Sequence, residues 1–98
     1  MTKVHELRGD VNGVTVEGRI TEKGATTWIE SRYGSRALSK AVLEDNTGRV
    51  ILNLFGPQVG MVKAGDFIRV ENGFTKLFQG MIELNVGSRG KITVLSEH

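Results

Sequence analysis

The stretch Glu44-Asp45-Asn46-Thr47-Gly48-Arg49-Val50-Ile51-Leu52-Asn53-Leu54-Phe55-Gly56 carries the deciding pattern. Its first part is a cluster of turn residues. Asp and Asn bond their own backbone and Gly accepts a positive φ, so Glu44 to Arg49 reads as a hairpin tip. Glu44 and Asp45 stand side by side, but in this setting they are turn formers rather than an acid–base couple. From Val50 onward the side chains alternate. Val50, Leu52 and Leu54 share one face; Ile51, Asn53 and Phe55 share the other. Period two with an aliphatic face is a strand laid against a core. That parity turns Phe55 outward with Asn53, at the strand end beside Gly56.

The same rhythm recurs on both sides of this stretch. Val14, Val16 and Ile20 oppose Thr15, Glu17 and Arg19; Ile68 and Val70 oppose Phe67, Arg69 and Glu71. Ile82, Leu84 and Val86 oppose Met81, Glu83 and Asn85, Ile92 and Val94 suggest a short last strand, and Leu38 to Leu43 is a strand of mixed pattern. Thirteen glycines and one proline break the chain into short segments, an all-β rhythm. Helix is expected only as a turn near Thr2–Leu7 and a short one around Pro57–Val62, between the third and fourth strands. Lys63 to Asp66 is a turn. Lys23 to Ser35 reads as an exposed loop or a flexible hairpin tip between the first two strands, and Phe74 to Gly80 as the connection between the fourth and fifth. Five or six short strands in 98 residues predict one small closed barrel over residues 1–98, since an open sheet would leave long bare edges. An SH3-like barrel and a five-stranded Greek-key OB barrel both fit. The two longest irregular stretches fall where an OB fold flanks its binding face, which favours the OB barrel.

Apolar residues make up 39% and charged residues 24%, which places the chain among ordinary globular domains rather than disordered ones. The absence of cysteine removes disulfides, thiolate zinc sites and thiol nucleophiles together. The only histidines, His5 and His98, lie near the two ends and read as exposed, incidental residues, so no paired-histidine metal site is expected. Neither a phosphate-binding glycine loop nor a Gly-x-Ser-x-Gly elbow is present. No enzyme chemistry, cofactor or metal is expected. No apolar run is long enough for a membrane helix, and the N-terminus lacks the apolar stretch of a secretory leader, which together with the missing cysteines suits the cytoplasm. A net charge of +2 is too small to name a partner, so the placement of the charges has to decide.

Phe55 faces outward by parity, Phe74 follows Asn72-Gly73 at a strand-to-loop junction, and Phe78 lies four residues on, beside Lys76 and Gln79. Two readings are equally open from the residues. The phenylalanines form a stacking platform for unpaired bases, with Lys76, Arg69, Lys40, Arg36, Arg32 and Arg89 neutralising phosphates. Alternatively, Phe74 and Phe78 cap one barrel end with Phe55 beneath them. Phe67 is assigned to packing under a loop. Trp28 and Tyr33 share a loop with Arg32 and Arg36, a composition that suits a nucleic-acid-contacting arm. For Trp28 the balance tilts toward a loop that folds back and buries the indole.

The run Asp45-Asn46-Thr47-Gly48-Arg49 followed by the hydrophobic strand and Leu54-Phe55-Gly56 resembles the signature of archaeal and human simple-type single-stranded DNA-binding proteins, single OB-fold relatives of replication protein A. The likeness continues through Val62-Lys63-Ala64-Gly65-Asp66, Val70-Glu71-Asn72-Gly73-Phe74-Thr75, Phe78-Gln79-Gly80 and Leu84 to Ile92. It covers roughly residues 10–95 and is strongest over 42–92. The resemblance implies that three aromatics stack on successive bases. One ends the third strand and two flank the loop between the fourth and fifth, which are Phe55, Phe74 and Phe78 here. The family usually has tryptophan at the first position and often tryptophan or tyrosine at the second. Phenylalanine offers a smaller face and no donor, which implies weaker binding. The family's first loop varies, so Trp28 and Tyr33 take no role from the resemblance.

The expectation is therefore a monomeric barrel that binds single-stranded DNA, with RNA as a further possible ligand, and with little sequence preference. The expected contact residues are Phe55, Phe74, Phe78, Asn53, Lys76, Arg36, Lys40, Arg69, Arg89, Arg32, Trp28 and Tyr33. A barrel that instead meets a protein partner through exposed phenylalanines is the alternative. The resemblance also implies work in replication, repair or recombination beside other proteins of those processes. Many members recruit them through a tail after the barrel; this sequence runs to His98, just past it.

Overall fold

The computed structural model describes residues 1–96. Glu97 and His98, including the terminal histidine expected to be exposed, lie outside the described residues. A single turn of 3-10 helix at Val4–Glu6 precedes β1 (Asn12–Lys23), β2 (Thr27–Ser31), β3 (Gly34–Asp45) and β4 (Gly48–Phe55). A short helix α1 (Gln58–Met61) leads to β5 (Phe67–Phe78), β6 (Met81–Asn85) and β7 (Lys91–Ser96). The strands run β1-β3-β4-β6-β5, and β5 pairs back onto β1 to close the barrel. β4 and β6 are parallel while the other barrel pairs are antiparallel, a Greek-key path. This is the five-stranded OB barrel expected, with β2 added to β3 and β7 to β5. Both expected helical turns are present, α1 falling between the third and fourth barrel strands. Among the described residues no helix is long and apolar enough to cross a membrane.

The inward faces carry the aliphatic residues that alternation assigns to them. Ile20, Leu43, Leu52, Leu54, Ile68 and Leu84 are fully buried. Each removes its side chain from water for roughly 1.5–3 kcal/mol. The mixed pattern of Leu38–Leu43 has a simple cause. Ser39, Ala41 and Leu43 point in, while Lys40 stays exposed. Ser39 is tolerated inside because its hydroxyl donates to the Gly24 carbonyl at 2.8 Å.

Asp45 and Thr47 tie the N-terminal turn to the β3–β4 hairpin. The Asp45 carboxylate accepts from the Val4 N–H at 2.9 Å and from the Thr47 N–H at 2.7 Å, and the Thr47 hydroxyl accepts from the His5 N–H at 3.1 Å. Burial works against the Asp45 charge. Hydrogen bonds from the Thr47 hydroxyl and the Val4, Thr47 and Gly48 N–H groups outweigh it and hold the carboxyl below its usual 3.8.

Two irregular stretches proved to be regular structure. Phe74–Gly80, expected as a connecting loop, is the second half of β5 as far as Phe78, paired with β6 from Phe74↔Asn85 to Phe78↔Met81. Only Gln79 and Gly80 turn, both at positive φ. In Lys23–Ser35, read as a loop or a hairpin tip, the hairpin is what forms: after β1 ends at Lys23, Thr27 to Ser31 pair with β3 as β2. Every residue of β2 is exposed, so it has no buried face to imprint an alternating pattern.

Strand β5 also changes parity midway. Ile68 and Val70 point inward, yet so does Thr75. Between them Asn72 adopts φ 53, and β5 spans Val70 to Gly73 while β1 spans only Val14 to Val16. This is a β-bulge. A side chain on Gly73 would meet Val70 Cγ1 at 2.9 Å, so the bulge closes only over glycine. Its effect is to turn Phe74, Lys76 and Phe78 outward.

Candidate nucleic-acid interface

The outer face of β3, β4, β6 and the second half of β5 collects most of the expected contact residues. Register aligns Leu38 with Phe55. One step along, Lys40, Asn53, Asn85 and Phe74 form a row across four strands. The next row places Ile51, Glu83 and Lys76 in line, and Phe78 stands opposite Met81. Phe55 and Phe74 are half-buried, and Phe78 is 57% exposed. The arrangement is three aromatic rings around a polar floor, on strands rather than on loops.

Two of the rings have local support. The Phe55 N–H donates to Gln58 Oε1 at 3.0 Å, and Gln58 Nε2 donates to the Val86 carbonyl at 2.9 Å. Gln58 thereby ties the end of β4 to the chain after β6. The Arg36 guanidinium carbon lies 4.6 Å from the Phe55 ring centre, a cation–π contact. The Phe74 ring packs against Gly87, where an added Cβ would come within 3.3 Å of Cε1. Beside Phe74 a cleft of about 410 Å³ is lined by Asn72, Ser88 and Arg89 among others. Asn72 Nδ2 donates to the Arg89 carbonyl at 3.1 Å, which holds this loop against the bulge. Thr75, on the inward side between Phe74 and Lys76, bonds the chain at Arg8 and Val11 and so anchors this part of β5.

The polar floor is a bonded network. Lys40 Nζ donates to Asn53 Oδ1 at 2.9 Å and to both oxygens of Glu83 at 3.2 and 3.3 Å. Asn53 Nδ2 donates to Glu83 Oε1 at 2.9 Å and to Asn85 Oδ1 at 3.1 Å. Glu83 and Asn85 did not stand out in the sequence. Their signal was parity, since both share the outward face of β6 with Met81.

Four expected residues are not brought to this floor. Arg69 lies on the first half of β5, between β1 and β7, with Nε 2.7 Å from Glu17 Oε2. Arg32 and Tyr33 form the tip of the β2–β3 hairpin, Tyr33 being 91% exposed with the Arg32 guanidinium 6.0 Å from its ring centre. Trp28 is not buried by a folded-back loop; it is 65% exposed. It pairs with Ala37, one residue from Arg36, so it projects from the hairpin face opposite the one that meets Phe55. The hairpin is held by backbone pairing, so the indole is not needed to bury it. Phe67 has the Arg19 guanidinium 5.7 Å from its ring centre, away from the three-ring face.

Residues 1–94 match the model of the family described as single-stranded DNA binding protein Ssb-like, OB fold. The chain belongs to that family. It is 38% identical over 95 residues to the single-stranded DNA binding protein Ssb of Saccharolobus solfataricus, a match covering 97% of this chain and 64% of that protein. The chain therefore spans less than two-thirds of that relative's length. Among solved structures it is similar to the OB domain of Ta0387 from Thermoplasma acidophilum, with a TM-score of 0.83 and 25% identity over 99% of this chain and 88% of the other. It also shares its fold with the second OB-fold domain of replication protein A from Methanococcus maripaludis, at a TM-score of 0.80 and 21% identity over 99% and 96% of the two chains.

Proposed function

We propose that this Ssb-like chain binds single-stranded DNA with little sequence preference, by stacking and charge neutralisation and without bond-making chemistry. The carrying observation is that Phe55, Phe74 and Phe78 share one outward barrel face, two of them placed there by the Asn72 bulge. Bases stack on these rings because every base has an apolar face, which explains tolerance of sequence. Arg36, Lys76 and Arg89 border the face and neutralise phosphates, releasing counterions. Kinship with Ssb and the fold of a replication protein A domain support the reading and suggest a role in replication, repair or recombination. Fluorescence anisotropy with a labelled thymine oligonucleotide tests it, with duplex DNA and a uracil RNA run beside it. Tight, salt-sensitive binding to the single DNA strand over the duplex supports the proposal. Equal binding of RNA removes the DNA preference. No binding of any of the three removes the nucleic-acid function and leaves a protein-interaction barrel.

A further inference from the structure

The floor between the rings holds a carboxylate, which is unexpected on a face meant for a polyanion. Glu83 has a side-chain exposure of 15% and accepts from Lys40 and Asn53. An ammonium has three protons to donate. In Lys40 they are directed to Asn53 Oδ1 and to both Glu83 oxygens, at 2.9, 3.2 and 3.3 Å. Asn53 is committed as well, its oxygen to Lys40 and its nitrogen to Glu83 and Asn85. All three donors of the floor's most central cation are thus engaged and its charge is paired, although its side chain remains 51% exposed.

We propose that Glu83 tempers DNA affinity by sequestering Lys40, so that the centre of the groove is neutral and a bound strand is released readily. This rests on the single-strand-binding reading above. Lys40 makes no phosphate contact while it is held, because its charge is matched by the carboxylate beside it. That attraction is stronger here than in open water because the carboxylate is largely covered.

The test is Glu83→Gln, which keeps an oxygen acceptor for Lys40 and Asn53 while removing the charge. Binding of a labelled thymine oligonucleotide is measured across a salt series, with dissociation rates by stopped flow. The variant is expected to bind about threefold to tenfold more tightly, chiefly through slower dissociation. Its salt slope should steepen by about 0.7, one added phosphate contact. The steepening should require Lys40, so a double variant carrying both Lys40→Met and Glu83→Gln should lack it. Lys40→Met alone, which leaves the Glu83 charge unbalanced, should weaken binding. An unchanged slope in Glu83→Gln, or the same steepening in the double variant, overturns the proposal, because Lys40 would then not be the cation that Glu83 withholds from phosphate. Loss of affinity for cytosine but not thymine strands in Glu83→Gln also overturns it, the carboxylate then being a reader of the cytosine amino group. Failure of the unsubstituted chain to bind any single strand would instead remove the underlying function.

Discussion

Phe78 separates stacking from packing most cleanly, because its side chain is 57% exposed. Phe78→Ala should weaken binding of a thymine oligonucleotide by about 1–3 kcal/mol while the melting temperature moves by less than about 4 °C. Anisotropy and a thermal melt on the same sample check both; a large loss of stability would make the ring a structural cap. Asp45 makes the opposite test, stability without binding. Its carboxyl is held below the usual carboxylate range in the folded chain. That stabilisation is complete above the ordinary value of 3.8 and is lost as pH falls through the lower folded value. Asp45→Ala should cost about 1–3 kcal/mol near neutral pH. The gap from the parent should narrow below about pH 4, as read by urea melts at several pH values. A gap independent of pH would locate the loss in packing rather than in the charge.

At the scale of elements, the bulge in β5 decides which way Phe74 and Phe78 face. Asn72 sits at φ 53, a conformation that asparagine tolerates and a β-branched residue does not. Asn72→Val should cost about 1–2 kcal/mol of stability and weaken DNA binding by re-aiming Phe74, whereas Asn72→Gly should keep binding close to the parent. Denaturant melts paired with anisotropy check this, and unimpaired binding by a folded Asn72→Val would dissociate the bulge from the site. The β2–β3 hairpin divides its two faces in the same way. Arg36 meets Phe55, while Trp28 projects from the other side. Arg36→Ala should make the salt slope shallower by about 0.7, whereas Trp28→Ala should leave affinity and slope unchanged. A drop in affinity on removing Trp28 would mean that the strand wraps the hairpin.

At the scale of the molecule, the net charge of +2 is too small to drive the proposed binding by itself, which leaves that task to the local arrangement. On the proposed reading, in which Arg36, Lys76 and Arg89 serve phosphates and Lys40 is held by Glu83, the expected salt slope is about −2, read from anisotropy between low and moderate salt. A much steeper slope would bring in cations from the hairpin tip or from Arg69. The barrel and the outward aim of Phe55 were legible in the sequence, because a half-buried strand imprints period two on its residues. Val50, Leu52 and Leu54 reveal the core face at a glance, and Phe55 follows by parity. The hidden strand β2 left no such trace, since both its faces meet water. Phe74 and Phe78 could be set outside the core by their neighbours, but strict alternation from Ile68 and Val70 would have turned Phe74 inward. Only the bulge, which depends on pairing with β1 far away in sequence, reverses it. The Lys40–Asn53–Glu83–Asn85 network belongs wholly to tertiary structure. Its members come from three strands and meet only because β4 and β6 pair in parallel when the barrel closes. Local alternation is a property of the chain; which outward residues become neighbours is set by register.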